Sequence, residues 1–301
     1  MAIKNVLVIG DRNLARSIVR ALSLAPTLKR TTAYEPDDVP PTSITHKTSD
    51  FTSSSIEVAF KGEDVVISTV FGGNFEMQTS IFDAVIAAGV KRFIPHEFGY
   101  DSLNIAIQGR ISGAAERAIV IERLRRASLE WVGVAVGCIL DSTLLNSNLG
   151  FDLAWQRGTI NGTGSEPFPE TSLTRVGIMV ERILQHCGKV KNEYVYAAGI
   201  MTSGDEIAVS LEKNTQSLDH PNVEDCVREG RSRIERGFLD SGMFLLERSV
   251  LYDKSSRTAE PFMDRSGNGL LGLEPETLDG IVGQVAHDFK HHGKPSCGCS
   301  S

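Results

Sequence analysis

The chain has 301 residues, 41% of them hydrophobic and 23% charged, enough to bury a sizeable core in one large α/β domain or in two lobes. A formal net charge of -7 and a pI of about 5.6 argue against nucleic acid as a partner, because phosphate-backbone binding needs a basic face. The densest apolar run, Trp131 to Leu140, is of strand length and far short of the roughly 20 residues of a membrane span, so no membrane partner is expected.

The chain enters a strand at once, with no charged leader and apolar block before it, and a cytoplasmic protein is expected. Lys4 to Ile9 is a continuous apolar strand, and Leu14, Ile18, Ala21 and Leu22 then recur at helical spacing. Thr31 to Tyr34 and Ile44 to His46 read as short strands, and Ser53 to Phe60 as a helix opened by a serine cap. Asp64 to Val70 is a buried strand. Glu76 to Ala88 carries Ile81, Ala84, Val85 and Ala88 on one helical face, and Lys91 to Pro95 is the next strand. A helix over Ser112 to Arg126 leads to a strand at Trp131 to Val136. Alternating helices with Val/Ile-rich strands predict a Rossmann-like, doubly wound parallel sheet.

Beyond Gly137 the rhythm changes. The turn-rich RGTINGTGSEPFPE precedes helical patterns at Leu173–His186, Asp205–Thr215, Asn222–Gly237 and Pro275–Val285, with one strand at Glu193–Ala197. Glu276 falls near the amino end of the last helix, where the macrodipole favours a carboxylate. The expected organisation is a dinucleotide-binding domain over 1–145, a smaller α+β substrate lobe over 146–288 with some elements returning to the main sheet, and a flexible tail over 289–301. The five cysteines are odd in number and irregularly spaced, which fits reduced thiols rather than a disulfide framework. In the tail, His287, His291, His292, Cys297 and Cys299 lack paired zinc-type spacing, and no metal is expected.

The polar stretch at the exit of the fifth strand, VKRFIPHEFGYD over Val90 to Asp101, is the chemically richest. Ligands of open parallel sheets bind just beyond the carboxyl ends of the strands. KRFIPHEFG resembles the KRFIPSEFG signature of the isoflavone reductase-like, or NmrA-like, branch of the atypical short-chain dehydrogenases. DVVISTV (Asp64 to Val70), the helix containing Gln78, DAVIAAGVKRF (Asp83 to Phe93), GFDL (Gly150 to Leu153) and NGLLGLEPETL (Asn268 to Leu278) are similar to further landmarks of that family, the last two to its fungal members. The resemblance implies a nicotinamide-cofactor domain, a small substrate lobe and a reductase acting on an aromatic or secondary-metabolite substrate.

The family's phosphate loop is Gly-x-x-Gly-x-x-Gly, with the pyrophosphate on the helix amino terminus. Here the loop reads GDRNLARS: Gly10 remains, the loop is one residue shorter and Ala15 replaces the last glycine. The expected cofactor contacts are Gly10, Arg12, Asn13 and Leu14, with Ser68, Thr69, Val70, Pro95 and His96 at the strand exits. Tyr34 and Glu35 end the second strand, and Glu35 lies 20 residues beyond Ala15, the spacing of an acid that binds a ribose 2′-hydroxyl. That favours NAD(H), whereas the resemblance favours NADP(H), with Arg12 or Lys29 able to take the 2′-phosphate.

None of the five tyrosines has a lysine four residues later, so the Tyr-x-x-x-Lys device of ordinary short-chain dehydrogenases is missing. The resemblance implies a lysine on the helix after the EFG turn, and that position falls on Arg117. Arginine can clamp an oxyanion but does not readily exchange a proton. His96 stands where relatives have serine; it is either a general acid/base or a turn-capping residue bonded to Asp101 or a backbone carbonyl. Phe71, Phe98, Cys138 and Asp141 are candidate substrate contacts. Three functions follow: an NAD(P)(H)-dependent tailoring enzyme of secondary metabolism reducing a C=C, C=N or quinone-methide-like substrate; a redox-neutral cyclase or isomerase on the same scaffold; and a non-catalytic dinucleotide sensor. The enzyme is expected as a monomer or homodimer acting on a small molecule.

Overall fold

Seven parallel strands form the main sheet of the protein, described here from a computed structural model covering residues 3–10, 12–24, 29–32, 44–70, 75–211 and 217–291. In chain order the first elements are β1 (Asn5–Ile9), α1 (Asn13–Ser23), β2 (Lys29–Thr32), β3 (Ile44–His46), α2 (Ser53–Phe60) and β4 (Val65–Ser68). They continue with α3 (Phe75–Ala87), β5 (Arg92–Ile94), α4 (Ile105–Gln108), α5 (Ser112–Arg126) and β6 (Glu130–Ala135). The sheet order is β3-β2-β1-β4-β5-β6, and the strand Glu193–Tyr196 then adds in parallel beside β6. The direction of winding reverses between β1 and β4, which is the doubly wound arrangement read from the sequence. Their paired ends, Ile9 and Ser68, lead into Gly10 and Thr69.

Burial explains why these strands are Val/Ile runs rather than alternating ones. Val6 to Ile9, Val65 to Ile67, Phe93, Ile94 and Val132 are all buried, as expected for a parallel sheet covered on both faces. Leu7, Val66, Phe93 and Trp131 pack with Ile81 and Val85 of α3 and Ile121 and Leu124 of α5 into one core. On α1, Ile18, Val19 and Leu22 are buried, and α1 packs against the helix Leu173–Gln185. At that crossing Ser17 donates to the Leu173 carbonyl at 2.5 Å, and a Cβ on Gly177 would fall 2.5 Å from the Ser17 carbonyl oxygen. Only glycine permits that approach.

The chain divides into two units. The first comprises Met1–Val136, Leu173–Ala197 and Arg265–Leu273, and the second Gly137–Ser172, Ala198–Asp264 and Glu274–Ser301. The second unit holds two three-stranded sheets, one in which Phe168–Thr171 lies between Cys138–Ile139 and Ile200–Thr202, and one in which Arg157–Thr159 lies between Phe151–Asp152 and Ser217–Asp219. The helices Val223–Glu235 and Leu239–Leu251 pack as a pair, with Gly230 and Gly242 at the contact. No helix among the described residues is long and apolar enough to cross a membrane.

Several local readings change. The cap of α2 is Thr52, whose side chain makes no capping bond; Asp50 instead accepts from the Thr52 amide and hydroxyl at 3.0 and 2.8 Å. The last helix runs Leu278–His291, so Glu276 precedes it, and its carboxylate accepts from the Ser172 hydroxyl and amide at 2.6 and 3.1 Å. That tether, rather than the macrodipole, employs Glu276. Tyr34, Glu35 and Phe71, and the tail beyond residue 291, lie outside the described residues.

Candidate functional site

The β1–α1 turn is built around Gly10. Its φ is +133°, and a Cβ there would stand 2.1 Å from Thr69 Oγ1. Thr69 is locked, since its amide and hydroxyl both donate to the Ile9 carbonyl, at 2.9 and 2.8 Å. Glycine is therefore required by contact and by conformation together. Ala15, which replaces a family glycine, is buried on α1, so its methyl is accommodated by packing.

Arg12 is the N-cap of α1 and gives it no side-chain capping bond. The first amides of a helix have no partner within it, and here the open turn begins at Asn13 and Leu14. Partial positive charge at that end and a glycine that lets backbone approach are what a phosphate group requires. A cavity of about 400 Å³ adjoins the turn, lined by Gly10, Arg12, Lys47, Ser49, Phe51 and Thr69 among others. Of the expected cofactor residues, Gly10, Arg12, Thr69 and Val70 border this cavity. Ser68 is fully buried as the last residue of β4. Val70 is anchored through its carbonyl, which accepts from Gln78 Nε2 at 3.0 Å. The residues fit a dinucleotide: a cradle closed to any Cβ, an uncapped helix start and a neighbouring cavity.

Sequence reasoning missed Lys47, Ser49 and Phe51. Their signal was position, since they follow β3 (Ile44–His46) as Thr69 and Val70 follow β4. Lys47 donates to the Ala59 carbonyl at 2.6 Å and pairs with Glu63 at 2.8 Å, while Arg12 is exposed.

At the exit of β5, Pro95 opens a tight turn in which the Glu97 amide donates to the Pro95 carbonyl at 2.8 Å. His96, Glu97 and Phe98 are all buried, and the rings of His96 and Phe98 meet edge to face at 6.2 Å. Burial first, and the Arg117 guanidinium second, push the His96 pKa down to about 3. An imidazole in that state is neutral at physiological pH. Asp101, the suggested partner for a capping histidine, accepts from the Leu103 amide at 2.9 Å and the Tyr196 hydroxyl at 3.1 Å.

Arg117 sits in the second turn of α5, and its Nε stands 3.8 Å from Glu97 Oε2. Glu97 is 1% exposed; burial raises its carboxyl pKa, against the opposing pull of Arg117 and of hydrogen bonds from Ser102 and Tyr194. The fold thus brings His96, Glu97 and Arg117 together, and adds Tyr194 and Tyr196 from the last strand of the sheet, which the sequence did not point to. Cys138 and Asp141 belong to the second unit. There Cys138 is buried with Sγ 3.3 Å from Thr143 Oγ1, and Asp141 accepts from the Ser142 amide at 2.8 Å.

Residues 42–218 match the model of the NmrA-like family. Over 299 residues the chain is 30% identical to oxidoreductase aprR of Aspergillus flavus, covering 95% of this chain and 99% of that protein. Among solved structures it resembles AtPrR2 with NADP+ and (+)pinoresinol, with a TM-score of 0.74 at 17% identity over 95% of this chain and 99% of the other. It also resembles the ternary complex of leucoanthocyanidin reductase from Vitis vinifera, with a TM-score of 0.77 at 15% identity over 94% and 99%. These two likenesses establish the shared fold. On its sequence, the chain belongs to the NmrA-like family.

Proposed function

We propose that the protein is an NADP(H)-dependent reductase of secondary metabolism that acts on a quinone-methide-like or C=N acceptor. The observation that carries this reading is the glycine-only turn at the uncapped start of α1, placed where the winding of the sheet reverses. When bound, the reduced nicotinamide supplies a hydride. Gly10 and the first amides of α1 would hold the pyrophosphate, with Thr69 fixing the turn. Arg12, exposed at the cavity, gives it basic character, while Lys47 beside it is already paired with Glu63; the Arg12 charge favours a 2′-phosphate and hence NADP(H) over NAD(H).

The choice of acceptor follows from the acids at hand. Arginine does not readily exchange a proton, and His96, with its pKa pushed down to about 3, is a neutral ring and no ready acid. A quinone methide, which becomes a phenolate on taking hydride, or a C=N group already present as an iminium cation, which becomes a neutral amine, needs no protonation in that step. Arg117 would stabilise the developing phenolate charge, and His96 would orient the substrate as a neutral hydrogen-bonding group. Substrate selection is assigned to the 146–288 region, with Cys138 and Asp141 as neighbouring contacts, in a cytoplasmic monomer or homodimer.

The test is a calorimetric titration with NADPH and NADH, followed by incubation with quinone-methide-type and iminium acceptors while the absorbance of the reduced nicotinamide is followed. Saturable NADPH binding and substrate-dependent consumption are expected. Product without consumption would replace this reading by a redox-neutral one, and no binding of either nucleotide would leave the sensor and enzyme readings both without support.

A further inference from the structure

Tyr194 and Tyr196 are two residues apart on one strand, so their side chains leave the same face of the sheet, with ring centroids 5.3 Å apart. Each phenol donates to a carboxylate of the His96–Asp101 turn: Tyr194 to Glu97 Oε2 at 2.7 Å, and Tyr196 to Asp101 Oδ2 at 3.1 Å. The two bonds are chemically alike and differ in what stands behind them. Glu97 Oε2, the oxygen that Tyr194 holds, is also the one that faces Arg117 Nε at 3.8 Å. Asp101 accepts from the Leu103 amide and feels the charge of Arg265 first and of Arg117 only after it, and the Arg265 guanidinium covers the Tyr196 ring at 4.6 Å.

We propose that Tyr194 is a positioning residue for Arg117: its hydroxyl fixes the Glu97 carboxylate, and that carboxylate sets where the guanidinium stands. A glutamate carboxyl turns freely about its last torsion. At 3.8 Å the contact with Arg117 is an ion pair without a hydrogen bond, so attraction alone does not select one oxygen or one angle. The Tyr194 bond does. Its own oxygen is held in turn, because the Ser102 amide donates to it at 3.2 Å. The chain of contacts therefore runs from the Ser102 amide to Tyr194 on the last strand of the sheet, on to Glu97 in the signature turn, and from there to Arg117. The charged and titratable groups around Glu97 are Arg117 on α5, Tyr194 on the strand, and His96 and Asp101 in the turn itself. The geometric claim stands by itself; its catalytic consequence rests on the reading of Arg117 as the group that stabilises developing negative charge.

The test uses the full chain with 15N-labelled arginine, observing side-chain Nε–H signals by NMR, with Arg117 assigned by loss of its signal in Arg117→Lys. In Tyr194→Phe the Arg117 signal should shift, and its solvent exchange should quicken by about tenfold or more. Tyr196→Phe, which removes the sister bond, should leave it in place. An unchanged signal in Tyr194→Phe, or an equal change in Tyr196→Phe, overturns the proposal. Should Tyr194→Phe not fold, Glu97→Gln removes the charge but keeps a partner for the phenol, and must disturb the Arg117 signal for the proposal to survive. This measurement needs neither dinucleotide nor substrate, so it stands even if the reductase reading fails. With NADPH and an accepted substrate, Tyr194→Phe should lower kcat about tenfold with KM and the NADPH Kd near wild type. A moved Arg117 signal with unchanged kcat would overturn the positioning role while leaving the geometry.

Discussion

Replacing Gly10 by alanine perturbs the phosphate turn at one atom. The added Cβ would lie 2.1 Å from Thr69 Oγ1, with Thr69 Cβ and Ala15 Cβ next at 3.5 Å. A backbone held at φ +133° costs an L-residue about 1–3 kcal/mol. Relief of the overlap requires Thr69 to release the Ile9 carbonyl, a hydrogen bond worth about 0.5–1.5 kcal/mol. Taking about 3 kcal/mol for the two together, and about 2–4 °C per kcal/mol for a protein of this size class, Tm falls by about 6–12 °C. The double variant Gly10→Ala/Thr69→Ala removes the clashing oxygen, leaves ordinary 3.5 Å contacts and so recovers the steric part but not the backbone strain. Because the same turn is the one proposed to hold the pyrophosphate, the NADPH Kd measured by calorimetry on the folded variant should rise by about tenfold or more, equivalent to about 1.4 kcal/mol. A Gly10→Ala protein with wild-type Tm and wild-type affinity would refute the reasoning.

Three further outcomes follow from the buried ionisable groups. Arg117→Ala leaves Glu97 buried without its cation, at a cost of about 3–5 kcal/mol while it stays charged. Because the Glu97 pKa is already raised, the deficit should be small near pH 5 and grow as pH rises; equal deficits by urea denaturation at pH 5.5 and 8 would contradict this. His96, with its pKa down at about 3, contributes stability that is complete above its ordinary pKa of about 6.5 and lost as pH falls toward 3. Its ring should show no NMR titration between pH 5 and 9, and a midpoint near 6.5 would restore it as a general acid. In the second unit, Glu170 is fully buried and its pKa is raised well above the carboxylate range, by desolvation first and Glu206 second. A raised carboxyl makes stability fall as pH rises above about 4.5, so Glu170→Gln should flatten a slope of up to about 1.4 kcal/mol per pH unit. The same slope in both proteins would remove Glu170 as its source.

The first half of the fold was legible because parallel strands buried on both faces must be written as continuous apolar runs, and β1, β4 and β5 are. Their ends shifted by a residue or two, since Pro95 and Val70 continue the apolar run after pairing has stopped. The helix Leu239–Leu251 went unread because its apolar residues are shared between a buried stripe, Leu246 and Val250, and an exposed one, Leu239 and Phe244, which blurs its period. At the site, Gly10 and His96 were readable from position alone. Tyr194 and Tyr196 were not, because they reach the signature turn only through pairing of Glu193–Tyr196 with β6, a contact that bridges about sixty residues of sequence. Glu276 misled because a carboxylate just before a helix looks like a dipole partner, whereas its bonds to Ser172 depend on tertiary placement.

The central claim, hydride delivery from a dinucleotide seated at the Gly10 turn, is tested most directly with NADPH carrying deuterium at nicotinamide C4 on either face. On turnover of an accepted quinone-methide-type or iminium substrate, the account predicts one deuterium in the product from one of the two labelled forms, with one NADPH consumed per product. Product formed without deuterium from either form, or without loss of NADPH, would contradict it.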